Sequence, residues 1–182
     1  MILLWVQLLQ AEELLHRQRQ RKTIKNHLNM RMGLSTATSN GHPTICLEGV
    51  PLEKISFETC GTGYGFLHRE SGTDFVHFRG KWSLFQRNEA HSLLQGQLGL
   101  GFAEIQIGDD ELGFQFTNTG GGVETSGPEI SASIQWTRIL SANTELVFDI
   151  NIGSAFFYYG PELIIPQQQV FPFMEMSVGW GW

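Results

Sequence analysis

Residues Val170–Trp182 read VFPFMEMSVGWGW. The even positions Met174, Met176, Val178, Trp180 and Trp182 are large and apolar, while the odd positions Glu175, Ser177, Gly179 and Gly181 are polar or lack a side chain. Successive side chains of a strand point to opposite faces, so a period of two predicts a β-strand with one greasy and one small, polar face. The apolar face ends on two tryptophans.

The same alternation recurs upstream. Ile24, Leu28, Met30, Met32 and Leu34 oppose Lys25, His27, Asn29, Arg31, Gly33 and Ser35. After the turn-rich stretch TSNGHP, Ile45 and Leu47 oppose Cys46 and Glu48, and Pro51 is expected to mark a tight turn. Ile55 and Phe57 then oppose Lys54, Ser56, Glu58 and Cys60. FLHRESGTD is expected to be a loop, and beyond it Val76, Phe78, Trp82 and Leu84 oppose His77, Arg79, Lys81 and Ser83. Leu94, Leu98, Leu100 and Phe102 alternate with Gln95, Gln97, Gly99, Gly101 and Ala103. At Ile105 and Ile107 the parity slips, which predicts a bulge or a strand leaving the membrane. Residues 108–127 form the longest irregular stretch. Ile130, Ala132, Ile134 and Trp136 then oppose Glu129, Ser131, Ser133, Gln135 and Thr137. Leu146, Phe148, Ile150, Ile152 and Phe156 oppose Val147, Asp149, Asn151, Gly153 and Ala155, and the loop YYGPELIIPQQQ leads back to the last strand.

Composition agrees with a chain of strands. Charged residues make up 16% of the 182, below the roughly 25% of an average soluble domain, while 21 glycines and 13 phenylalanines are present. A net charge of −6 argues against nucleic acid as a partner, because a phosphate backbone calls for a basic surface. The sequence has no apolar run of about 18 residues, the length a membrane-crossing helix requires. A strand crosses with about ten residues, only alternate ones apolar.

Eight strands are therefore expected, joined alternately by short connections near Pro51, Asn88 and Ala142 and by others, two of them long, near Asn40, Ser71, Gly120 and Pro161. An even strand count with short turns at one end and longer loops at the other predicts an all-β, eight-stranded antiparallel up-and-down transmembrane β-barrel. Periodicity alone also admits a soluble, lipocalin-like ligand-binding barrel with the faces reversed. Composition favours the membrane form. Arg31, Glu48, Glu58, Arg79, Lys81, Glu129, Asp149 and Glu175 carry both signs on the polar face, suited to a narrow lumen where charges pair. Trp82, Trp136, Phe156, Tyr158, Trp180 and Trp182 fall near strand ends, where membrane-interface aromatics belong.

The terminal aromatic strand, the strand count and the loop asymmetry together resemble the small eight-stranded outer-membrane barrels of Gram-negative bacteria, over roughly residues 24–182. The resemblance implies a bacterial outer-membrane location, outer-membrane lipid as a partner, contacts with other envelope or surface proteins, and no cofactor. It also implies an interior filled by side chains rather than a wide pore. Function is then expected in the external loops, as a structural anchor, adhesin or scaffold component, with residues 108–127 and 159–169 as contact surfaces. Some barrels of this kind modify lipid A with a histidine, a serine and an acid. His68, Ser71 and Asp74 share one expected external loop and supply those residue types, although neither enzyme family's motif is present.

Cys46 and Cys60 are the only cysteines, placed symmetrically about Glu53, so a hairpin brings them opposite one another. A disulfide is expected in an oxidising periplasm, with buried free thiols as the alternative. Glu48 and Glu58 share that register. Two close carboxylates can perform acid–base chemistry, but neutralisation by Arg31, Arg79 or Lys81 is the expected state. No metal site is expected, since no Cys or His lies at zinc-ligand spacing, and Asp109, Asp110 and Glu111 with Glu124 match no calcium loop. Residues 1–11, MILLWVQLLQA, are expected to be a secretory signal segment ending at Ala11, with the first turns of a helix continuing through Glu12–Lys22 as the alternative. Residues 12–23 follow as a polar, helical segment and residues 24–182 as the barrel.

Overall fold

A computed structural model of the chain describes residues 28–38, 42–62, 72–89, 91–107, 122–141 and 143–182. The expected signal and polar segments, with residues 24–27, lie outside the described residues. Eight strands run β1 Leu28–Ser35, β2 Pro43–Leu52, β3 Ile55–Thr62, β4 Thr73–Glu89, β5 Ser92–Ile107, β6 Glu124–Ser141, β7 Thr144–Phe156 and β8 Val170–Gly181. Each pairs antiparallel with its sequence neighbours and β8 returns to β1, giving a closed up-and-down barrel. Reciprocal backbone hydrogen bonds between Leu28 and Trp182, at 3.0 and 3.1 Å, finish the seam. Closure gives every strand a hydrogen-bonded neighbour on both sides around the barrel, which hydrocarbon demands because it offers a backbone amide no partner.

The faces are inside out relative to a soluble protein. Met32, Leu34, Phe57, Trp82, Leu100, Ile134 and Trp180 are exposed on the outer wall, while Arg31, Glu48, Glu58, His77, Arg79 and Lys81 are buried within. Apolar surface this continuous belongs against lipid. The lipocalin-like alternative requires the opposite sense and is overturned. A closed strand barrel with a lipid-facing exterior is the outer-membrane arrangement.

Among the described residues the register is interrupted at Gly49/Leu52, Ser83/Phe85 and Ile139/Ser141, each time between two strands joined by a short hairpin. Pro51 does not form the β2–β3 turn. It lies inside β2 within the first of these irregularities, where its missing N–H costs no ladder bond, and the chain turns at Glu53 and Lys54. Nor is there a bulge after Phe102. Ser92 to Gln106 pairs with β6 without a shift, so Ala103, Ile105 and Ile107 stay on the inner face. The sequence parity slips because the interior itself turns apolar there. Ala37, Phe75, Ala103, Ile105, Ile107, Ala155, Phe157, Leu163 and Phe173 form one buried cluster at the loop end of the barrel. Val76, expected to face lipid, is buried; β4 begins at Thr73, so this residue lies on the strand's extension toward the loops. Residues 124–127, expected to be irregular, are the start of β6.

Glycines on the inner face make room. A Cβ on Gly153 would collide with the ring of Phe173 and lie 2.9 Å from the Ile130 carbonyl. At Gly179 it would run into the backbone of Met30 and Arg31 across the seam, a close approach only glycine permits.

Candidate functional site: the interior charge network and the loop-end mouth

The strand registers set rows of inward side chains opposite one another. Across β2, β3 and β4, Glu48 faces Glu58 and Glu58 faces Arg79; one step toward the loops, Cys46 faces Cys60 and Cys60 faces His77. Arg31 on β1 faces Cys46. Asp149 and Asn151 on β7 face Ser177 and Glu175 on β8.

Glu58 is the hub of the network. Its carboxylate accepts from Arg79 Nε at 2.7 Å, from Lys81 Nζ at 2.9 Å, and from the guanidinium groups of Arg31 and Arg79 at closer contacts. Glu48, the second carboxylate of the facing pair, accepts from Ser56 Oγ and Gln135 Nε2, both at 2.6 Å, and from Asn29 Nδ2 at 3.1 Å. Arg31 Nη2 and Lys81 Nζ lie 3.2 Å from it. Asp149 lies 3.2 Å from Arg31 Nη1 and 3.4 Å from Lys81 Nζ. Arg79 reaches on to Glu129 at 3.0 Å and Glu175 at 3.4 Å, and Asn151 also donates to Glu175. The structure thus brings Arg31, Glu48, Glu58, Arg79, Lys81, Asp149 and Glu175 into one network. Each carboxylate named is shared among several donors, which removes the pairwise repulsion that acid–base work by Glu48 and Glu58 requires.

His77 belongs to this network too. It is fully buried, with Nδ1 3.1 Å from Glu129 Oε2 and Nε2 3.6 Å from Glu175 Oε2, and its ring edge meets Phe75. It stands where the polar interior gives way to the apolar cluster. Its inward parity is readable from the sequence; its partners come from β6 and β8, which no local pattern names.

Cys46 and Cys60 are joined by a disulfide on the inner wall. Among the described residues, one group of potential metal ligands is compact: Glu58, Cys60 and His77, with ligand atoms within 4.8 Å of one another. Its histidine is seventeen positions from its cysteine, far outside the short spacings by which zinc sites are read from sequence.

The loop-end mouth is covered. Residues 157–169 fold back over the barrel through a 3-10 turn at Gly160–Glu162, tied by Phe157 N donating to Gln169 O at 2.7 Å and Ile164 N donating to Gly122 O at 3.1 Å. Leu163 packs into the apolar cluster while Tyr158, Ile164 and Ile165 stay exposed.

His68 and Ser71 lie outside the described residues, as do Asp109, Asp110 and Glu111. Asp74 is not in a loop but in β4, where it accepts from Thr62 Oγ1 at 2.7 Å and lies 3.7 Å from His42 Nδ1. Glu124 is buried in β6. The aromatics fall at two levels. Trp136 and Trp180 are near the short hairpins in register with Phe148 and Leu146, and Trp82 and Trp182 accompany them; Phe156 is at the loop end of β7, with Tyr158 just beyond. At ~3.3 Å per residue and a tilt of ~40°, Leu146 to Phe156 covers about 25 Å, the height of a lipid-facing band. All six are exposed except Trp136, which is half-buried.

No family model matches the sequence, and no curated protein matches it. Solved outer-membrane barrels are similar in shape. The N-terminal β-barrel domain of Pseudomonas aeruginosa OprF shares 6% identity, over 86% of this chain and 96% of that one, at a TM-score of 0.46. Neisserial surface protein A shares 9%, over 86% and 94%, at 0.45. The outer membrane protein OprG of Pseudomonas aeruginosa shares 11%, over 86% and 94%, at 0.44. At these identities the likeness is one of general barrel form, and fold alone assigns no activity.

Proposed function

We propose that this chain is a non-conducting outer-membrane barrel whose work is done at its external surface, as an anchor or scaffold that holds loops out for other envelope or surface proteins. One observation carries the proposal: the lumen is occupied through its middle and its loop end. Salt-bridged side chains fill the middle, and the apolar cluster capped by Leu163 fills the loop end. Eight-stranded barrels have just enough interior for side chains, and a buried ion-pair network is costly to open for a passing solute. What is left to act is the exterior. The ordered loop with exposed Tyr158, Ile164 and Ile165 is the surface best suited to a partner, since apolar groups held on a rigid frame bind with little ordering cost.

The test has two arms. Purified protein in planar bilayers is expected to give no discrete conductance steps, and steady channel openings would refute the filled lumen. In cells, crosslinking of envelope proteins to the barrel is expected to fall when Ile164 and Ile165 are both changed to Asp, with folding unaltered. Crosslinking that is unchanged by the double substitution would remove this loop as the contact surface.

A further inference from the structure

Cys46, Cys60 and His77 stand side by side on the inner face of three consecutive strands, each directly opposite the next, and Glu58 is the neighbouring inward residue on β3. All four are buried. Ligand atoms of Glu58, Cys60 and His77 lie within 4.8 Å of one another, and Cys46 Sγ is bonded to Cys60 Sγ.

We propose that the reduced protein binds one thiophilic divalent cation, of the Zn2+ class, through Cys46, Cys60, His77 and Glu58, so that the same two sulfurs close either a disulfide or a metal site. Two thiolates, an imidazole and a carboxylate are ligand types zinc takes in tetrahedral geometry. Around such an ion, with bonds of about 2.0–2.3 Å, ligand atoms sit roughly 3.3–3.8 Å apart. Glu58, Cys60 and His77 approach that spacing as they stand, and Cys46 is to join them by side-chain rotation once its bond to Cys60 is broken. Cross-strand neighbours on one face are close by construction, so the barrel itself supplies the arrangement.

The charge balance favours the exchange. Reduction of the disulfide takes up two electrons and two protons and yields two thiols. With a tertiary phosphine as reductant, water supplies the protons and the oxygen, and the phosphine leaves as its oxide. The cation then displaces both thiol protons, so two positive charges enter and two leave. The surrounding balance of Arg31, Arg79 and Lys81 against carboxylates is undisturbed. The surroundings also suit a metal-bound histidine. Glu129 Oε2 and Glu175 Oε2 flank the two ring nitrogens, at 3.1 and 3.6 Å. Whichever nitrogen binds the ion, the other keeps a carboxylate to orient the ring. Glu58 already serves Arg31, Arg79 and Lys81 and is the weakest of the four ligands. Because the site is enclosed, the ion enters during folding.

The experiment is to unfold the protein in denaturant with a water-soluble tertiary phosphine and refold it into detergent micelles with Co2+ or Zn2+. Unbound metal is then removed by desalting and the remainder counted per chain. Reduced wild type is expected to retain one metal ion, and the cobalt form to show a thiolate-to-metal charge-transfer band. Oxidised protein treated identically is expected to retain none. Changing both Cys46 and Cys60 to serine is expected to abolish the band, Cys60→Ser alone to reduce both band and retention, and His77→Ala to weaken retention at least tenfold. A gel comparing boiled and unboiled samples reports folding, and His77→Gln replaces His77→Ala if the alanine variant does not fold. Folded, reduced wild type without metal, or equal retention in the oxidised protein or in Cys60→Ser, would overturn the proposal.

Discussion

Glu58 on β3 and Arg79 on β4 are directly paired in register, and the guanidinium donates to the carboxylate through both Nε and Nη2, deep inside the barrel. Both bonds end on the same oxygen, Oε1, and charge-assisted bonds of this kind are the strong ones. The same carboxylate also receives Arg31 and Lys81.

Removing the hub leaves three buried cations short of a partner. Glu58→Ala is expected to destabilise the folded barrel by about 3–5 kcal/mol, the cost of breaking a buried pair from one side. Urea unfolding in lipid vesicles, followed by tryptophan fluorescence, measures it. Arg87→Ala, which breaks the exposed Arg87–Glu89 contact, is the control and is expected to leave the midpoint in place, because exposed pairs contribute little.

The glycines divide by the same logic of space. Gly153→Ala puts a methyl into the ring of Phe173 and is expected to cost about 1–3 kcal/mol by overpacking. Gly49→Ala meets nothing within 4 Å and is expected to be close to neutral. Thermal midpoints of the two variants in the same detergent separate the cases; equal loss in both would remove the packing explanation.

Depth in the membrane predicts a gradient on the outer wall. Leu100 and Ile134 are exposed on mid-strand positions, and Leu100→Arg or Ile134→Arg is expected to cost about 2–4 kcal/mol in vesicles, while Tyr158→Arg near the interface costs about 0–1 kcal/mol. A flat profile across these positions would place the band elsewhere.

The Cys46–Cys60 bond closes a loop with a sequence separation of 14. In the chain-entropy account a loop of that size contributes about 3 kcal/mol by restricting the unfolded chain. The Cys46→Ser/Cys60→Ser variant, unfolded in the absence of metal, is expected to lose stability of that order without losing the barrel's gel mobility shift.

Much of this fold is written in polarity alternation, because a barrel in lipid sorts residues strictly by face. Met174 to Trp182, Ile130 to Trp136 and Leu146 to Ile152 are strands whose neighbours on either side could be paired on paper. The alternation misleads where the interior is not polar. Ile105 and Ile107 look out of phase only if every inward residue is assumed hydrophilic; in fact the register holds and the lumen changes character. Pro51 looks like a turn because its ring cannot donate to a ladder, yet a register irregularity accommodates it within β2, two residues before the turn at Glu53. The approach of His77 to Cys60 was not legible, since it depends on how β3 and β4 align across the connection between Thr62 and Thr73. His77's approach to Glu129 and Glu175 depends on closure of the whole barrel.

The account stands on the outward orientation of the apolar face, and membrane fractionation with a boiled-against-unboiled gel tests it most directly. The protein is expected in the outer-membrane fraction, migrating differently before and after boiling because the barrel resists detergent until heated. Recovery in the soluble fraction without detergent, with no shift on boiling, would contradict it.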